Sequence, residues 1–586
     1  MVIALTALTF ILVYRNTIKP LNGFLSLSLI FLITGILTSQ EILSGFANES
    51  VVCIALLILI TAGIRSHFPI DKILDSIFSR VRSYQQFIWV MMGKISMLSS
   101  FVNNTPVVAL MTPYVFKWGK KNKISPSKLL IPLSYAAICG GMITVIGTST
   151  NLILNGFLSE NDLPKLNPYH LLIIGVLVSL GCILFISVVG HRFLPNNKDL
   201  VDEFERNKRE YLIEKSVSKT SPLIGKSISS AGLRNMKGVY LVEIVRNKST
   251  ISPVSPDEKL QANDTLIFAG ETNNIMEFTS SELGLALPKS TSKTSAMDKG
   301  EVVEIVIGTN NSIVGKTVKE SEFRNRYDAA VVAIHRNGER LSGKLGDIQL
   351  RSGDVLLLFT GNDFLNRVDL YKDLIIISDI ERPSTIAKKN SKLFLLVSLG
   401  SIALIPAGIA SLFQSLLIIL TFMLVSGLIS MKNIKRDLDI SMMLILVLSL
   451  ALGQAIVKTS TGLIIANGIL NILQPLGPIA ILVGLMMITI ILTTFVTNVG
   501  AVAIMFPIAY SISTSLGLND SPFYLAIAYG ASAAFLSPIS YQTNLIIYGP
   551  GGYNFKDFLR IGLPTTIIYL FISTTTITLL YRDILL

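Results

Sequence analysis

The stretch Asn104-Thr105-Pro106-Val107-Val108-Ala109-Leu110-Met111-Thr112-Pro113 returns 394 residues later as Asn498-Val499-Gly500-Ala501-Val502-Ala503-Ile504-Met505-Phe506-Pro507. Tyr135 and Tyr529 keep the same offset. After one residue of slippage, Thr150-Asn151-Leu152-Ile153 matches Thr543-Asn544-Leu545-Ile546, and Gly156 matches Gly549. In each copy an apolar run enters a short polar tip and a second apolar run leaves it, over residues 84–118 and 474–510. Irregular backbone at membrane depth persists only where protein or a water-filled cavity covers it. Both tips therefore read as buried ends of re-entrant hairpins.

Working outward, each copy comprises three spans, a hairpin, a broken span and a closing span. Five crossings per copy is an odd number, so the second copy must run inverted across the membrane. The first broken span, Pro132–Leu158, contains Gly140-Gly141 and then Gly147-Thr148-Ser149-Thr150-Asn151. The second, Leu525–Tyr548, contains Ser537-Pro538-Ile539-Ser540-Tyr541-Gln542-Thr543-Asn544. Polar runs in mid-span are costly against lipid, and inverted repeats with interrupted helices point to a transporter site near the midplane. Helix–helix packing through small residues and hydroxyls is the competing explanation for any one such run. Four polar breaks in two matched pairs of positions argue against it.

Oxygen atoms from Ser99, Ser100, Asn104, Gly147 and Asn151 can surround one hard cation, and Thr493, Val496, Asn498, Ser537 and Asn544 supply the symmetric set. No Asp or Glu lies in either set, so an anionic solute beside the cations would balance the charge. Helices starting directly after both tips, with Pro106 and Gly500 in their first turns, aim unpaired N–H groups at such an anion.

The composition agrees with this reading. Of 586 residues, 51% are apolar and 15% charged, well below the quarter usual in soluble domains. Residues 191–390 hold 27 of the 38 acidic and 29 of the 50 basic side chains, which leaves a surplus of ten positive charges on the flanks. A disordered chain is excluded and a soluble enzyme disfavoured. Apolar runs fit a ~30 Å hydrocarbon core at Leu21–Leu37, Val51–Ile64, His170–Val189, Leu393–Ile409, Leu417–Ser430, Ile440–Leu452 and Ile561–Leu580. The run from Met1 has its first basic residue, Arg15, behind it, and reads as a retained first helix rather than a cleaved leader. Basic loops at Arg15 and Lys19, Lys117–Lys128, Lys432–Arg436 and Lys556–Arg560 place those loops in the cytoplasm. The expected count is ten crossings and two hairpins. Cys53, Cys139 and Cys182 have no CxxC spacing and the four histidines are dispersed, so no zinc site or disulfide framework is indicated. Bases confined to short loops are an orientation signal, not a nucleic-acid surface.

Both flanks, Met1–His191 and about Lys392–Leu586, resemble the divalent anion:sodium symporter family of the wider ion-transporter superfamily of elevator carriers. In that family each tip carries Ser-Asn-Thr, preceded four residues earlier by a hydroxyl residue. Here the tips are Asn103-Asn104-Thr105 after Ser99, and Thr497-Asn498-Val499 after Thr493. The resemblance implies a first sodium site from Ser99, Asn103, Asn104 and Gly147, and a second from Thr493, Val496, Asn498 and Ser537. It implies substrate contacts at Asn104, Thr105, Asn498 and the unwound stretches with Thr150, Asn151, Thr543 and Asn544. Two departures bear on the substrate. Asn103 replaces a serine, and Val499 replaces a threonine and removes a donor. A long dicarboxylate wants donors on both tips, whereas a compact oxyanion such as sulfate needs fewer.

The middle of the chain is a second repeat, at an offset of 90. Pro222–Lys226 matches Ser312–Lys316, Ile244–Asn247 matches Ile334–Asn337, and Leu260–Leu266 matches Leu350–Leu356 with Asp264 and Asp354 in register. Each copy predicts a short helix near 227–233 or 317–323, then strands at 239–245 or 329–334, then a turn into an apolar strand. The pair resembles the C-terminal regulator-of-conductance domains appended to potassium transport proteins. No GxGxxG precedes them, so a nucleotide-binding half is absent. Arg234, Arg246, Arg324 and Arg336 offer a site for an anionic effector between units, or equally a solvated face with a dimer contact. His335 on its strand reads as structural.

The expected fold class is thus a polytopic α-helical membrane protein: an inverted repeat with two re-entrant hairpins and two broken helices, plus two inserted small α+β cytoplasmic domains. The boundaries are 1–191 and 390–586 for the membrane repeats, and 205–290 and 291–381 for the insert. The expected activity is sodium-driven symport of a small divalent anion, sulfate or dicarboxylate, by a homodimer in a cell membrane, a bacterial inner membrane by preference. A proton is the alternative coupling ion, and no organic cofactor and no nucleic acid are implied. Two other readings stay open. One is a potassium-type channel gated by the central domains, although no Thr-Val-Gly-Tyr-Gly filter is present. The other is a transport-dead anion sensor.

Overall fold

The computed structural model describes the chain apart from residues 15–16, 19, 68–77, 79–80, 82, 198–211, 234–238, 247–248, 252–253, 271–284, 287–301, 309–311, 337–338, 342–344, 362, 372–373, 378–387, 406–408, 430–433, 435–437, 439, 496, 539–540 and 586. Of the residues singled out above, Arg15, Lys19, Arg234, Lys432, Arg436 and Val496 lie outside the described residues.

The first flank runs through helices Val2–Tyr14, Pro20–Ile33, Ser39–Ala47, Glu49–His67, Tyr84–Ser99, Asn104–Lys121, Ser127–Gly141, Ser149–Glu160 and Pro168–Val188. The second runs through Lys388–Ala403, Leu412–Val425, Ile440–Lys458, Thr461–Leu473, Pro478–Phe495, Asn498–Leu516, Ser521–Ser532, Gln542–Tyr548 and Phe555–Leu580. From Tyr84 and from Pro478 onward the order is the same: helix, tip, helix, half-helix, break, half-helix, long helix.

Five helices among the described residues are long and apolar enough to cross a membrane: Pro168–Val188, Ile440–Lys458, Pro478–Phe495, Asn498–Leu516 and Phe555–Leu580. The pair Ser39–Ala47 and Glu49–Ile64, bent by 43°, adds a sixth if it acts as one span. The expected ten crossings include broken and short helices that fall below a full span's length. Both arms of the second expected hairpin reach that length, because length and hydropathy do not distinguish an arm that turns back from one that crosses. The helix Ser39–Ala47 went unread in the sequence. It starts on a capping box, with Thr38 Oγ1 accepting from Glu41 N at 3.2 Å and Glu41 Oε2 accepting from Thr38 N at 2.7 Å.

Glycine lets the inner helices touch backbone to backbone. A Cβ on Gly140 would fall 2.2 Å from Ser96 O, so Tyr84–Ser99 lies directly on Ser127–Gly141. On the second flank a Cβ on Gly530 would fall 2.8 Å from Thr489 Cβ, which sets Pro478–Phe495 against Ser521–Ser532. These central helices are buried from Leu129 to Gly141 and from Pro522 to Ser532. The polar breaks that follow them are therefore enclosed by protein. The long helix Pro168–Val188 instead turns Leu172, Leu177, Leu180 and Leu184 outward, as a lipid-facing surface requires.

The insert forms two five-stranded antiparallel sheets. The first holds β1 (Leu212–Val217), β2 (Val239–Arg246), β3 (Ser249–Ile251), β4 (Thr265–Gly270) and β5 (Leu285–Ala286), in the order β3-β2-β4-β1-β5. The second holds β6 (Val302–Ile307), β7 (Ala329–Arg336), β8 (Glu339–Arg340), β9 (Val355–Thr360) and β10 (Leu374–Ile376), in the order β10-β6-β9-β7-β8. The strands match the expectation, but the short helices do not. Residue 227 makes an isolated bridge to Lys259 and 228–233 are turns, and in the second unit the helix is Phe323–Tyr327, which begins on the last residue of the expected segment. Leu223, Ile228 and Leu233 fill the first core from those turns, so the apolar spacing was real but served no helix.

The two units meet the rest of the chain differently. Both units keep a core of their own, and from the second Val306, Val355 and Ile377 also join the hydrophobic cluster of the flanks. A Cβ on Gly549 would lie 2.2 Å from Val355 Cγ2 and 2.8 Å from Gly353 O. The turn before β9 thus sits under the end of the half-helix Gln542–Tyr548.

Candidate functional site

Each tip is built from one hydroxyl and one amide five residues apart. Asn104, oriented so that both ends of its amide are satisfied, donates to Ser99 Oγ at 2.5 Å, Ala137 O at 3.0 Å and Gly147 O at 3.3 Å. Its carbonyl oxygen accepts from Tyr541 O–H at 2.9 Å. In the second tip Thr493 Oγ1 donates to Asn498 Oδ1 at 3.0 Å and to Ala531 O at 2.8 Å. Ser99 and Thr493 are fully buried, and Asn104 and Asn498 nearly so.

The breaks repeat a second bond. Asn151 Nδ2 donates to Thr144 O at 3.0 Å, and Asn544 Nδ2 donates to Ser537 O at 3.0 Å, both seven residues back. Each asparagine ties the start of a half-helix to the unwound stretch before it, so backbone that has left the helix still has its carbonyl paired. Asn544 also donates to Ala534 O at 2.6 Å, and its Oδ1 accepts from Ser134 O–H at 2.7 Å. Ser134 Oγ lies 2.9 Å from Thr543 Oγ1 as well. Asn151 Oδ1, in contrast, is buried and meets no donor among the described residues. An amide oxygen left open beside carbonyls and hydroxyls is a ligand type suited to a hard cation.

Close approach demands glycine at two points here. A Cβ on Gly141 would lie 2.4 Å from the end of the Asn104 amide, and one on Gly147 would lie 2.6 Å from both Gly141 O and Ser99 O. The first cluster therefore gathers Ser99, Asn104, Gly147 and Asn151, while Thr150, fully buried, sits beside Thr148 at 3.2 Å. Two expected ligands are used otherwise. Asn103 caps the helix after the tip, its Oδ1 accepting from Thr105 N at 3.4 Å. Ser100 Oγ donates to Met97 O at 2.7 Å, inside its own turn, and its carbonyl accepts from Thr144 Oγ1.

The sequence reading missed the partners that cross between flanks. Tyr541 bonds Asn104, and Thr105 Oγ1 donates to Gln542 Oε1 at 3.2 Å, both across 437 residues. Tyr541 and Gln542 were visible as polar residues within the second break, but nothing in the repeat marked them. Tyr135 and Tyr529, which the repeat did mark, brace opposite breaks. Tyr135 O–H donates to Phe535 O at 2.7 Å, and Tyr529 O–H to Leu171 O at 2.9 Å and Met142 O at 3.3 Å. Among the described residues no group of three or more His, Cys, Asp or Glu side chains is placed to hold a metal. The site is neutral and built of oxygen and amide donors.

The arginines of the insert are engaged within and between the units. Arg246 pairs with Asp264 at 2.9 Å and Glu258 at 2.8 Å, and Arg336 pairs with Asp354 at 2.7 Å. Each arginine also reaches a backbone carbonyl at 2.7 Å, Lys259 O or Gln349 O, so the offset of 90 reproduces the arginine–aspartate–carbonyl bonds, while Glu258 has Ile348 as its counterpart. The first unit's pairs hold the Arg246 guanidinium firmly in its charged form. Arg324 spans the two units, donating to Leu241 O at 2.7 Å and Val254 O at 3.1 Å. Arg246 and Arg336 thus pin the turns before β4 and β9, and Arg324 joins the units.

Comparison with known proteins follows the same lines. A family model described as "Citrate transporter" matches residues 10–483 and 403–586. A Chlamydomonas reinhardtii protein named "Putative sulfur deprivation response regulator" is 32% identical over 577 residues, covering 95% of this chain and 97% of its own. "Sodium/sulfate cotransporter 2" of the same organism is 30% identical over 409 residues, 63% of this chain and 45% of its own. Among solved structures, the YdaH transporter of Alcanivorax borkumensis aligns with a TM-score of 0.46 at 11% identity, over 95% of this chain and 89% of that one.

Proposed function

Since this chain belongs to the citrate transporter family, we propose that it is a secondary active symporter in which sodium entry drives uptake of a small divalent anion, with sulfate ahead of the dicarboxylates. The carrying observation is the duplicated pair of bonds, Ser99 with Asn104 and Asn151 with Thr144, echoed by Thr493 with Asn498 and Asn544 with Ser537. Sodium would be held by Ser99, Gly147 and the open oxygen of Asn151, with the Asn104 amide turning its oxygen to join them, and on the second side by Thr493, Asn498 and Ser537. Neutral oxygen cages leave the cation charge uncompensated by protein. An anion bound between them at Asn104, Thr105, Asn498, Thr543 and Asn544 would complete the balance, so neither ion binds well alone. That is the thermodynamic content of coupling.

Transport would proceed by movement of the tips and broken helices, as one body, past the remaining helices of a homodimer in the cell membrane, with the insert in the cytoplasm. The names of relatives that carry sulfate with sodium support the choice of both ions. The test is uptake of labelled sulfate, succinate and citrate into vesicles containing the purified protein, driven by a sodium or a pH gradient. Sodium-dependent sulfate uptake is the expected result. Uptake that ignores sodium, or that no tested anion supports, would defeat the proposal.

A second reading is favoured by the full-length relative named for a response to sulfur deprivation. In it the membrane part binds the anion without moving it and reports occupancy to the insert. Any sodium-driven flux by the purified protein removes that reading.

A further inference from the structure

Glu160 ends the half-helix that starts at the first break, two residues beyond the expected end of the broken span. It meets two helices of the surrounding frame. Asn48 Nδ2 donates to its Oε1 at 3.1 Å, and Gln454 Nε2 donates to its Oε2 at 3.1 Å. Asn48 stands at the bend between Ser39–Ala47 and Glu49–His67, and Gln454 on Ile440–Lys458. The seam is tight, since Asn48 Nδ2 also donates to Gly156 O at 3.2 Å and a Cβ on Gly156 would lie 3.0 Å from Asn48 Oδ1.

Both donors to this carboxylate are neutral. The charges around it are committed to each other: Lys165 pairs with Glu49 at 3.2 Å and Lys458 with Glu41 at 2.9 Å. Asp162 is exposed in the next turn. Burial pushes the Glu160 carboxyl above the ordinary carboxylate range, and the amide bonds from Asn48 and Gln454 recover part of that shift. Gln454 Oε1 is buried and meets no donor among the described residues. A half-turn of that amide would offer this open acceptor to an O–H on Glu160, so the seam has a paired arrangement for either charge state.

We propose that Glu160 is a proton-binding site at the seam between the broken helix and its frame, and that its charge state sets how firmly the seam is fastened. Ionised, it takes two amide donors from the frame. Protonated by a solvent proton, it keeps one and gives one to Gln454, and the cost of holding a buried charge is gone, so the seam is fastened more firmly than in the ionised form. Only the transport arm of the test rests on the symporter reading.

Infrared titration of the purified full-length protein reads the carboxylic C=O band directly. A band titrating above the ordinary carboxylate range is expected in the parent and its loss in Glu160→Gln. Gln454→Glu adds a second carboxylate, so the midpoint is expected to move upward. Thermal melting gives an independent sign. A folded pKa above the unfolded value means the folded state holds more protons between the two, so stability falls as pH rises through that window. Glu160→Gln is expected to remove that fall. In vesicles, the same variant is expected to flatten the pH profile of uptake by several-fold at its extremes. An unchanged band in Glu160→Gln, an unmoved midpoint in Gln454→Glu, or a parent-like pH profile of uptake in Glu160→Gln overturns the proposal. Failure of all anion flux in the parent would instead strike the symporter reading, with the infrared result still deciding the proton site.

Discussion

The two flanks agree at their centres and differ at their edges. Ser99 and Asn104 are mirrored by Thr493 and Asn498, and the asparagine of each break reaches back seven residues in both. Around that shared centre, the first tip bonds across to the other flank through Tyr541 and Gln542, while the described bond of Asn498 stays within its own. Val499 stands where the first tip has Thr105. The matched glycines diverge too: Gly156 lies against Asn48, Gly549 against the turn of the second inserted unit. The matched positions therefore keep the same bonds at the centre and differ where they meet different neighbours.

Five substitutions probe this comparison, taken from the largest expected effect. Asn104→Ala removes the side-chain bonds to Ala137 O, Gly147 O, Ser99 and Tyr541. With these lost, sodium-dependent uptake should fall by roughly 100-fold. Asn498→Ala removes fewer bonds and should cost roughly 10-fold. Equal losses would mean that the cross-flank bonds contribute little. Gly141→Ala places a methyl 2.4 Å from the Asn104 amide. It should weaken apparent sodium affinity by about 10-fold, with no loss of folded protein by gel filtration, since overpacking costs ~1–3 kcal/mol. A parent-like sodium dependence would detach Asn104 from the cation.

Gly549→Ala acts at the other edge, driving a Cβ into Val355 and Gly353 O. The second unit should become more sensitive to limited proteolysis, by roughly a factor of ten, while the first unit's cleavage is unchanged. Val499→Thr should have the smallest effect. A donor added at the second tip should raise succinate uptake relative to sulfate by about fivefold, the equivalent of ~1 kcal/mol. No change in that ratio would remove the second tip from substrate selection.

Much of the centre was legible in the chain. Ser99, Asn104, Thr493 and Asn498 were named by the repeat, and the structure joins each hydroxyl to its amide. Asn151 and Asn544 were named as polar residues in the breaks, and both became the bond that stabilises the break. Asn103 and Ser100 make their described side-chain bonds to nearby backbone. A short polar side chain next to a helix end satisfies the nearest backbone group first, and sequence spacing does not show which group is nearest. The turns at 228–233 misled in a related way, because apolar spacing reports burial and not the backbone that achieves it.

What the sequence alone determined is the part written locally along the chain. Long apolar runs, their polar interruptions, the offsets of 394 and 90 and the split of charge between flanks and insert all follow from residue order. They suffice for a duplicated membrane protein with a neutral oxygen-lined centre. What only the tertiary structure decided is the identity of partners brought together from far apart. Tyr541 on Asn104, the second unit under Gly549, and Glu160 held by Asn48 and Gln454 depend on helices separated by hundreds of residues meeting at a particular rotation. Hydropathy averages over such rotations. A hydrogen bond 3 Å long does not.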